Sequence, residues 1–409
     1  MRKTKIICTI GPASDNEETL SKMFEAGMNV ARLNFSHGTH EQHQEKIDLI
    51  KRVREKMNLP IAIMLDTKGP EYRIKTFKDG KVELKDGATF VLTTDEVEGD
   101  ETRVSVTYKM LPQQLNPGDR VLINNGLVIL EVKEIKGADV ICEVVVGGVL
   151  SNQKSMNFPN KVMQGDFLSE QDKKDLLFGI KNDIDFVAAS FVSRKEDMIE
   201  MREFLDANGG ENIEVIAKIE NRAGVDNIDE ISDVANAVYD GSSAIMLSGE
   251  SAAGKYPVEA VQTMSQVAEY TEMHINYKER FAKQEFNMRN NLDAISHATC
   301  QMAIDVGAKA IVVHSRSGVT ARMVSRFRCP IDIIGMTTSE RIWRRLNLSW
   351  GVIPILNEEF NSTDVMYYHG LNVAKEVLDL KAGDNVVMTG GLINGKAGNT
   401  NTIKVETVS

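Results

Sequence analysis

Charged and hydroxyl-bearing side chains recur directly after four predicted β-strands. The four segments are Arg32–His37, Asp66–Pro70, Lys218–Glu220 and Ser248–Glu250. In parallel α/β sheets the loops that carry reactive groups meet at the carboxyl ends of the strands, so these side chains should line one rim. Taken singly, Arg32 or Lys218 would more often be a surface or ion-paired residue than a reactive one. Their repeated position after strands indicates a shared polar site.

Two further hydroxyl-rich segments lie in the last third of the chain. Ser315–Gly318 and Thr337–Ser339 each precede a predicted helix, whose first backbone N–H groups can hold an anion. The same residue types are common helix caps, so the sequence leaves both capping and anion binding open. A glycine-rich segment from Gly390 to Asn399 could close over a ligand bound there.

The elements that position the first set of residues alternate between strand and helix. The pattern predicts strands at 5–9, 29–34 and 61–65 with helices at 16–26 and 40–57. Ser14 and Glu17 have the spacing of a capping box, and Gly27 lies where a C-cap glycine is expected. Such a βαβαβ order indicates parallel strands with right-handed crossovers.

From residue 70 to about 154 the sequence changes to short β-rich runs separated by turn residues, with no helical stretch predicted. Alternation then resumes, which indicates an all-β insert within one α/β domain. The later predicted elements are helices at 169–180, 195–207, 224–231, 233–239 and 257–283, and strands at 185–190, 214–217, 244–247, 310–314, 331–335, 352–355, 385–389 and 402–405. We therefore predict a domain of residues 1–69 with 155–282, an insert of 70–154 and a C-terminal α/β domain of 283–409.

Composition narrows the class of protein. The chain has 409 residues, 26% of them charged, and a formal net charge of -11. A negative chain disfavours a nucleic-acid or membrane-surface binder, so a small anionic substrate would need a locally basic pocket. No stretch approaches the length of apolar sequence that spans a membrane. Four cysteines without CxxC spacing favour a reducing compartment, and we expect a cytoplasmic protein.

Six blocks of sequence resemble the pyruvate kinase family, in family order and over essentially the whole chain. They are CTIGPAS, MNVARLNFSHG, LDTKGPE, VAASFV, IAKIEN and IMLSGESAAGKYP. The resemblance implies an α/β fold with a (β/α)8 TIM barrel, an inserted all-β lid domain and a C-terminal α/β regulatory domain. It implies transfer of a phosphoryl group from phosphoenolpyruvate to ADP, giving pyruvate and ATP in glycolysis, by a cytoplasmic homotetramer.

The resemblance also implies roles for individual residues. Arg32 would hold the substrate phosphate, and Lys218 would stabilise charge that develops between phosphate and enolate. Glu220 would bind Mg²⁺ (or Mn²⁺), a hard cation that takes few protein carboxylates. The remaining implied residues are Asn34, Ser36, Asp66 and Thr67 for K⁺, Asn34, His37, Arg73 and Lys154 for the nucleotide, and Thr337, Thr338 and Ser339 for a sugar-phosphate effector. Glu71 also points to potassium dependence.

One departure from the family lies in the barrel. A barrel needs ~250 residues, but the two barrel segments supply only ~200, so about two strand-helix units are missing. Ser232 directly joins segments that flank two strands in the family, and with those strands go an aspartate that would bind the divalent metal and a threonine near the enolate. We expect a gap in the barrel wall with exposed strand edges.

Smaller departures lie in the insert, where Asn124 and Asn125 replace paired aspartates and Ser155 replaces a glycine. Three interpretations stay open: a working pyruvate kinase, an impaired or inactive remnant that acts as a ligand-binding or assembly module, or a deletion in the gene or its assembly.

Overall fold

The computed structural model describes residues 2–69, 72–124, 126–159, 167–220, 241–391 and 400–409. The strands in these ranges are β1 Lys5–Thr9, β2 Val30–Asn34, β3 Ala62–Asp66, β4 Lys81–Leu84, β5 Thr89–Thr93, β6 Arg103–Ser105, β7 Arg120–Ile123, β8 Val128–Lys136, β9 Asp139–Val146, β10 Gly148–Ser151, β11 Met156–Asn157, β12 Phe186–Ala189, β13 Glu214–Ala217, β14 Ala244–Leu247, β15 Ala310–His314, β16 Asp332–Thr337, β17 Val352–Leu356, β18 Asn385–Gly390 and β19 Thr402–Thr407. The helices are α1 Glu17–Glu25, α2 His40–Met57, α3 Leu111–Gln114, α4 Glu170–Lys181, α5 Lys195–Ala207, α6 Gly249–Ala252, α7 Pro257–Met273, α8 Tyr277–Lys283, α9 Asn291–Asp305, α10 Val319–Arg326, α11 Glu340–Leu346 and α12 Thr363–Leu378.

The first α/β domain is built on a six-stranded parallel sheet in the order β13-β12-β3-β2-β1-β14. Both faces are covered, which explains why its central strands are mostly apolar, apart from the polar residues at and near their carboxyl ends. A large core packs the helices on the outer face, and a smaller cluster fills the inner face. The inner cluster consists of Val30, Ala62, Met64, Phe186 and Ala188.

Within the described ranges the sheet is open, because β13 and β14 are its edge strands. The predicted junction of 224–231 with 233–239 lies outside those ranges. Met246 on β14 pairs in register with Ile7, whose side chain packs against the inner cluster, yet 44% of Met246 is exposed. Met246 is therefore an apolar side chain left exposed on an edge strand, and the gap in the barrel wall stays a prediction.

The insert has a core of its own. A six-stranded sheet in the order β11-β7-β8-β9-β5-β6 and the pair β10-β4 enclose apolar side chains such as Phe90, Val121 and Leu130. The insert was predicted to end at residue 154, but β11 pairs with β7, and Met156 and Phe158 lie in the insert core. The insert therefore continues a few residues further than its turn signals indicated.

The C-terminal domain is a five-stranded sheet in the order β17-β16-β15-β18-β19, parallel except for β19. Helix α8 contributes to the cores of both α/β domains. Its Tyr277 packs in the core of the first domain, and its Phe281 packs in the core of the C-terminal domain. Trp350 from the C-terminal domain also lies in the first core, 5.2 Å from the Tyr277 ring. The two domains therefore share buried surface.

Three local predictions are wrong. The cap of α1 is Asn16, whose side chain accepts from the Thr19 amide, whereas Ser14 bonds to Gly11. The helix predicted at 257–283 is two helices, because α7 ends at His274 and the Asn276 side chain caps α8. The insert also contains the short helix α3. In the described part of the chain, no helix is long and apolar enough to span a membrane.

Candidate active site

Lys218 is the centre of a polar network at the carboxyl edge of the first sheet. It follows β13, and its ammonium group lies 3.0 Å from Asp66, 2.8 Å from Ser190 and 3.0 Å from Glu220. Asp66 ends β3 and Ser190 follows β12, so parallel pairing of these strands brings the side chains to one rim. The predicted rim is confirmed for Asp66, Lys218 and Glu220, and Ser190 joins them there.

Arg32 joins the same network from β2. Its Nε donates to Asp66 Oδ2 at 2.5 Å, and its terminal nitrogen donates to Thr9 Oγ1 at 2.6 Å. Asp66 is only 1% exposed, and its two oxygens accept from Arg32, Lys218 and Ser190. One buried carboxylate thus fixes two cations side by side, and their remaining N–H groups can bind an anionic ligand.

Glu220 lies on the solvent side of Lys218. One of its oxygens contacts the ammonium group, and the other accepts from the Phe191 amide at 3.1 Å. Phe191 has a φ of +60°, an unusual value for a bulky residue, which places its N–H toward Glu220. The carboxylate is therefore oriented by a strained turn after β12.

The residues implied for K⁺ bring oxygen atoms to neighbouring strand ends. Asn34 and Asp66 are register partners at the ends of β2 and β3. The Asn34 side chain accepts from the Ser36 amide, and the Thr67 carbonyl accepts from Ser190. A set of amide, hydroxyl, carboxylate and carbonyl oxygens suits a hard cation.

The residues implied for the nucleotide are divided between two elements. His37 lies in the turn before α2, where its carbonyl accepts from the His43 ring. Arg73 and Lys154 lie in the insert, where the Ile74 amide bonds to Lys154 O and Arg73 bonds to Gln153 O. The structure brings Arg73 and Lys154 together near the chain crossings into the insert, whereas Glu71 lies outside the described residues.

The residues implied for an effector lie at the end of β16. The hydroxyl of Ser339 accepts from the Ile342 amide and caps α11, and Thr337 donates to Arg316 O. The Ser339 bond is a helix cap, whereas the Thr337 bond reaches the loop after β15, so both hydroxyls already have partners within the protein. Effector binding by Thr337, Thr338 and Ser339 stays a prediction, and most of the glycine-rich segment after Gly390 lies outside the described residues.

Two site residues were given no role from the sequence. Thr9 and Ser190 fall inside the blocks CTIGPAS and VAASFV, but a lone hydroxyl gives no chemical signal by itself. Their position directly at the ends of β1 and β12 was the signal that could have identified them. Ser190 matters geometrically, since its hydroxyl links Lys218, Asp66 and the Thr67 carbonyl.

The described residues offer few ligands for a divalent cation. In the part of the chain that the structure describes, no group of three or more His, Cys, Asp or Glu side chains is arranged to hold a metal ion. Glu220 is a suitable single ligand, because Mg²⁺ commonly takes one or two carboxylates and completes its shell with water and substrate oxygens. The donor chemistry thus fits a metal that is held mainly by substrate.

Comparison with known families agrees with this fold and site. Residues 1–232 and 230–261 match the pyruvate kinase barrel domain in two stretches, and residues 293–406 match the pyruvate kinase alpha/beta domain. The two barrel matches meet at the segment where the sequence indicates missing units. A crystal structure of a pyruvate kinase from Cryptosporidium parvum is similar at a TM-score of 0.92 and 31% identity, covering 99% of this chain and 96% of that one.

Full-length relatives show the same relationship. A pyruvate kinase of Clostridium acetobutylicum is 40% identical over 472 aligned residues, covering all of both chains, and one of Clostridium perfringens is 38% identical with the same coverage. Because this chain has 409 residues, at least 63 of those 472 positions have no counterpart in it. Matches to both domains and along whole relatives lead to one conclusion: the chain belongs to the pyruvate kinase family.

Proposed function

We propose that this chain transfers a phosphoryl group from phosphoenolpyruvate to ADP, giving pyruvate and ATP. The observation that carries the proposal is the placement of Lys218 and Arg32 on one buried carboxylate, Asp66, at the rim of the sheet. Phosphoryl transfer depends on positioning and charge neutralisation more than on covalent chemistry. Two fixed cations beside Glu220 supply those requirements.

Arg32 and Lys218 have different roles because their charged groups differ in shape. A guanidinium group can bind two phosphate oxygens at once, so Arg32 orients the phosphate of phosphoenolpyruvate. The ammonium group of Lys218 is a compact charge on a flexible stem and lies between carboxylates. It can exchange one of those contacts for the oxygen on which charge develops as the phosphoryl group leaves.

Glu220 would hold Mg²⁺ or Mn²⁺, and Asn34, Ser36, Asp66 and Thr67 would hold K⁺. When bound, the divalent ion neutralises phosphate charge during transfer. In the family pattern the missing barrel units hold a second carboxylate, so substrate oxygens would supply more of the metal's ligands here. We expect weaker metal binding than in a full-length relative as a consequence.

The finer assignments belong to the same proposal. Asn34, His37, Arg73 and Lys154 would contact the nucleotide, and Thr337–Ser339 would contact a sugar phosphate. A homo-oligomer, a tetramer in the family, is expected. All four cysteines are free and buried, which supports a reducing, cytoplasmic setting for a glycolytic enzyme.

The test is pyruvate formation from phosphoenolpyruvate and ADP with Mg²⁺ and K⁺. We expect activity in the parent chain and a loss of about 100-fold or more in Lys218→Met, the scale seen when one group that stabilises transition-state charge is removed. Lys181→Met, at an exposed end of α4, is the matched control and should retain activity. A folded parent of native mass with no activity would favour the inactive remnant instead.

A further inference from the structure

Two arginines of the C-terminal domain form ion pairs with Glu214, the first residue of β13. Arg322 on α10 and Arg345 on α11 both donate to Glu214 Oε1, and Arg345 also donates to Asn212 O at 3.1 Å. Burial lowers the pKa of both guanidinium groups, and Glu214 is the carboxylate that both contact. These three side chains form an inter-domain contact that we call the Glu214 clamp.

The clamp acts on an edge strand. In the described ranges, β13 pairs only with β12, and its residues are less buried than those of β12 or β3. An interior strand is held by hydrogen bonds on both sides, but an edge strand has one row of partners and frays more readily. The Glu214 clamp supplies a side-chain restraint at the start of this strand.

β13 leads directly to Lys218. The strand has four residues, from Glu214 to Ala217, and the Lys218 amide then bonds to Ala189 O at 2.9 Å. A slip of one residue against β12 would move the chain by ~3.3 Å and turn the Lys218 side chain to the other face. Anchoring Glu214 therefore fixes where the Lys218 ammonium group lies.

The opposite edge of the sheet is held in a similar way. Arg328, which follows α10, donates to Gly241 O at 2.5 Å and Ser243 Oγ at 2.8 Å, just before β14. Its guanidinium group also lies 4.6 Å from the Trp350 ring. One domain thus holds the start of both edge strands of the open sheet.

We propose that Arg322 and Arg345 are positioning residues for Lys218, acting through Glu214 and β13. The C-terminal domain then restrains the edge strand where a complete barrel would have a neighbouring strand. The inference rests on the proposed catalytic role of Lys218. It goes beyond that role because none of the three clamp residues contacts the site network.

The test compares Glu214→Gln with Arg345→Lys and with Glu211→Gln, an exposed glutamate three residues earlier. We expect Glu214→Gln to lower kcat by about tenfold with KM for phosphoenolpyruvate within about twofold, because misplacement costs reactivity more than binding. Arg345→Lys, which keeps a positive charge beside Glu214, should lose less activity than Glu214→Gln, and Glu211→Gln should match the parent.

Amide hydrogen exchange separates this proposal from the proposed function. Exchange at 215–218 should be faster in Glu214→Gln while exchange in β1, β2 and β3 stays as in the parent, whether or not the parent is active. Unchanged exchange at 215–218, or equally faster exchange in every strand, would overturn the clamp. An inactive parent with the expected exchange pattern would overturn the proposed function alone.

Discussion

At the scale of the residue, the candidate site depends on Asp66, because this buried carboxylate holds Arg32 and Lys218 side by side. Arg32, Asp66 and Lys218 were predicted from their places after strands, and the structure brings them together. Thr9 and Ser190 were not assigned, because a hydroxyl becomes informative only when its partners are known. The position of a residue after a strand predicts that it lies at the rim of the sheet, but its hydrogen-bond partners depend on how the strands pair.

The burial of His314 makes the stability of the protein depend on pH. His314 ends β15, its buried Nε2 has no hydrogen-bond partner among the described residues, and burial lowers its pKa to about 4. The nearby His369 acts in the same direction. Between pH 6.5 and pH 4 the unfolded chain therefore binds a proton that the folded chain does not, and the free energy of unfolding falls as pH falls.

We predict that lowering the pH from 7 to 5 reduces the stability of the parent by ~2 kcal/mol through this group, at 1.36 kcal/mol per pH unit. Replacing His314 with leucine should remove that part of the pH dependence. Urea unfolding at the two pH values measures it. His274→Asn, at an exposed site, is the control, and equal pH slopes in parent and His314→Leu would contradict the assignment.

At the scale of the element, strand and helix periodicity predicted most bounds within two residues. The strands at 5–9, 214–217, 244–247 and 310–314 were predicted with their observed bounds, because continuous apolar runs bounded by polar residues mark buried parallel strands. Ends decided by single side-chain bonds were less predictable. The division at His274 depends on Asn276 capping α8, which periodicity cannot detect.

The cap of α1 gives a direct test of that point. The Asn16 side chain accepts from the Thr19 amide, so Asn16→Ala should destabilise the protein by ~1 kcal/mol, the typical cost of a lost N-cap. Asn16→Ser, which keeps a capping oxygen, should stay within a few tenths of a kcal/mol of the parent. Chemical denaturation measures both, and equal losses in the two variants would show that the cap does not contribute.

At the scale of the whole molecule, the first and C-terminal domains depend on a buried ion pair. Arg344 on α11 donates to Asp185 at 2.9 Å, and Asp185 is fully buried just before β12. Burial raises the pKa of Asp185, while Arg344 and Arg54 oppose the shift. The sequence could not predict this contact, because the two residues are far apart in the chain and nothing in their local pattern links them.

Removal of one partner should be costly. Arg344→Met leaves a buried carboxylate without its main counter-charge, and we expect a loss of ~3–5 kcal/mol in the free energy of unfolding. Adding Asp185→Asn to that variant should recover much of the loss, since the uncompensated charge is then gone. In calorimetry, the melting temperature should fall in Arg344→Met and rise again in the double variant. A loss that the second substitution does not recover would mean that the guanidinium group contributes by packing alone.

The pairing of β14 with β1 limits how such a chain can be shortened. A strand-helix unit brings the backbone back to the end of the sheet where it started, so removing complete units leaves the direction of the following strand unchanged. β14 accordingly runs parallel to β1 and still delivers the chain to α7 and the C-terminal domain. Loss of half a unit would reverse β14 and send everything after it to the wrong side. A deletion that keeps this fold therefore removes whole strand-helix units, each of ~30 residues.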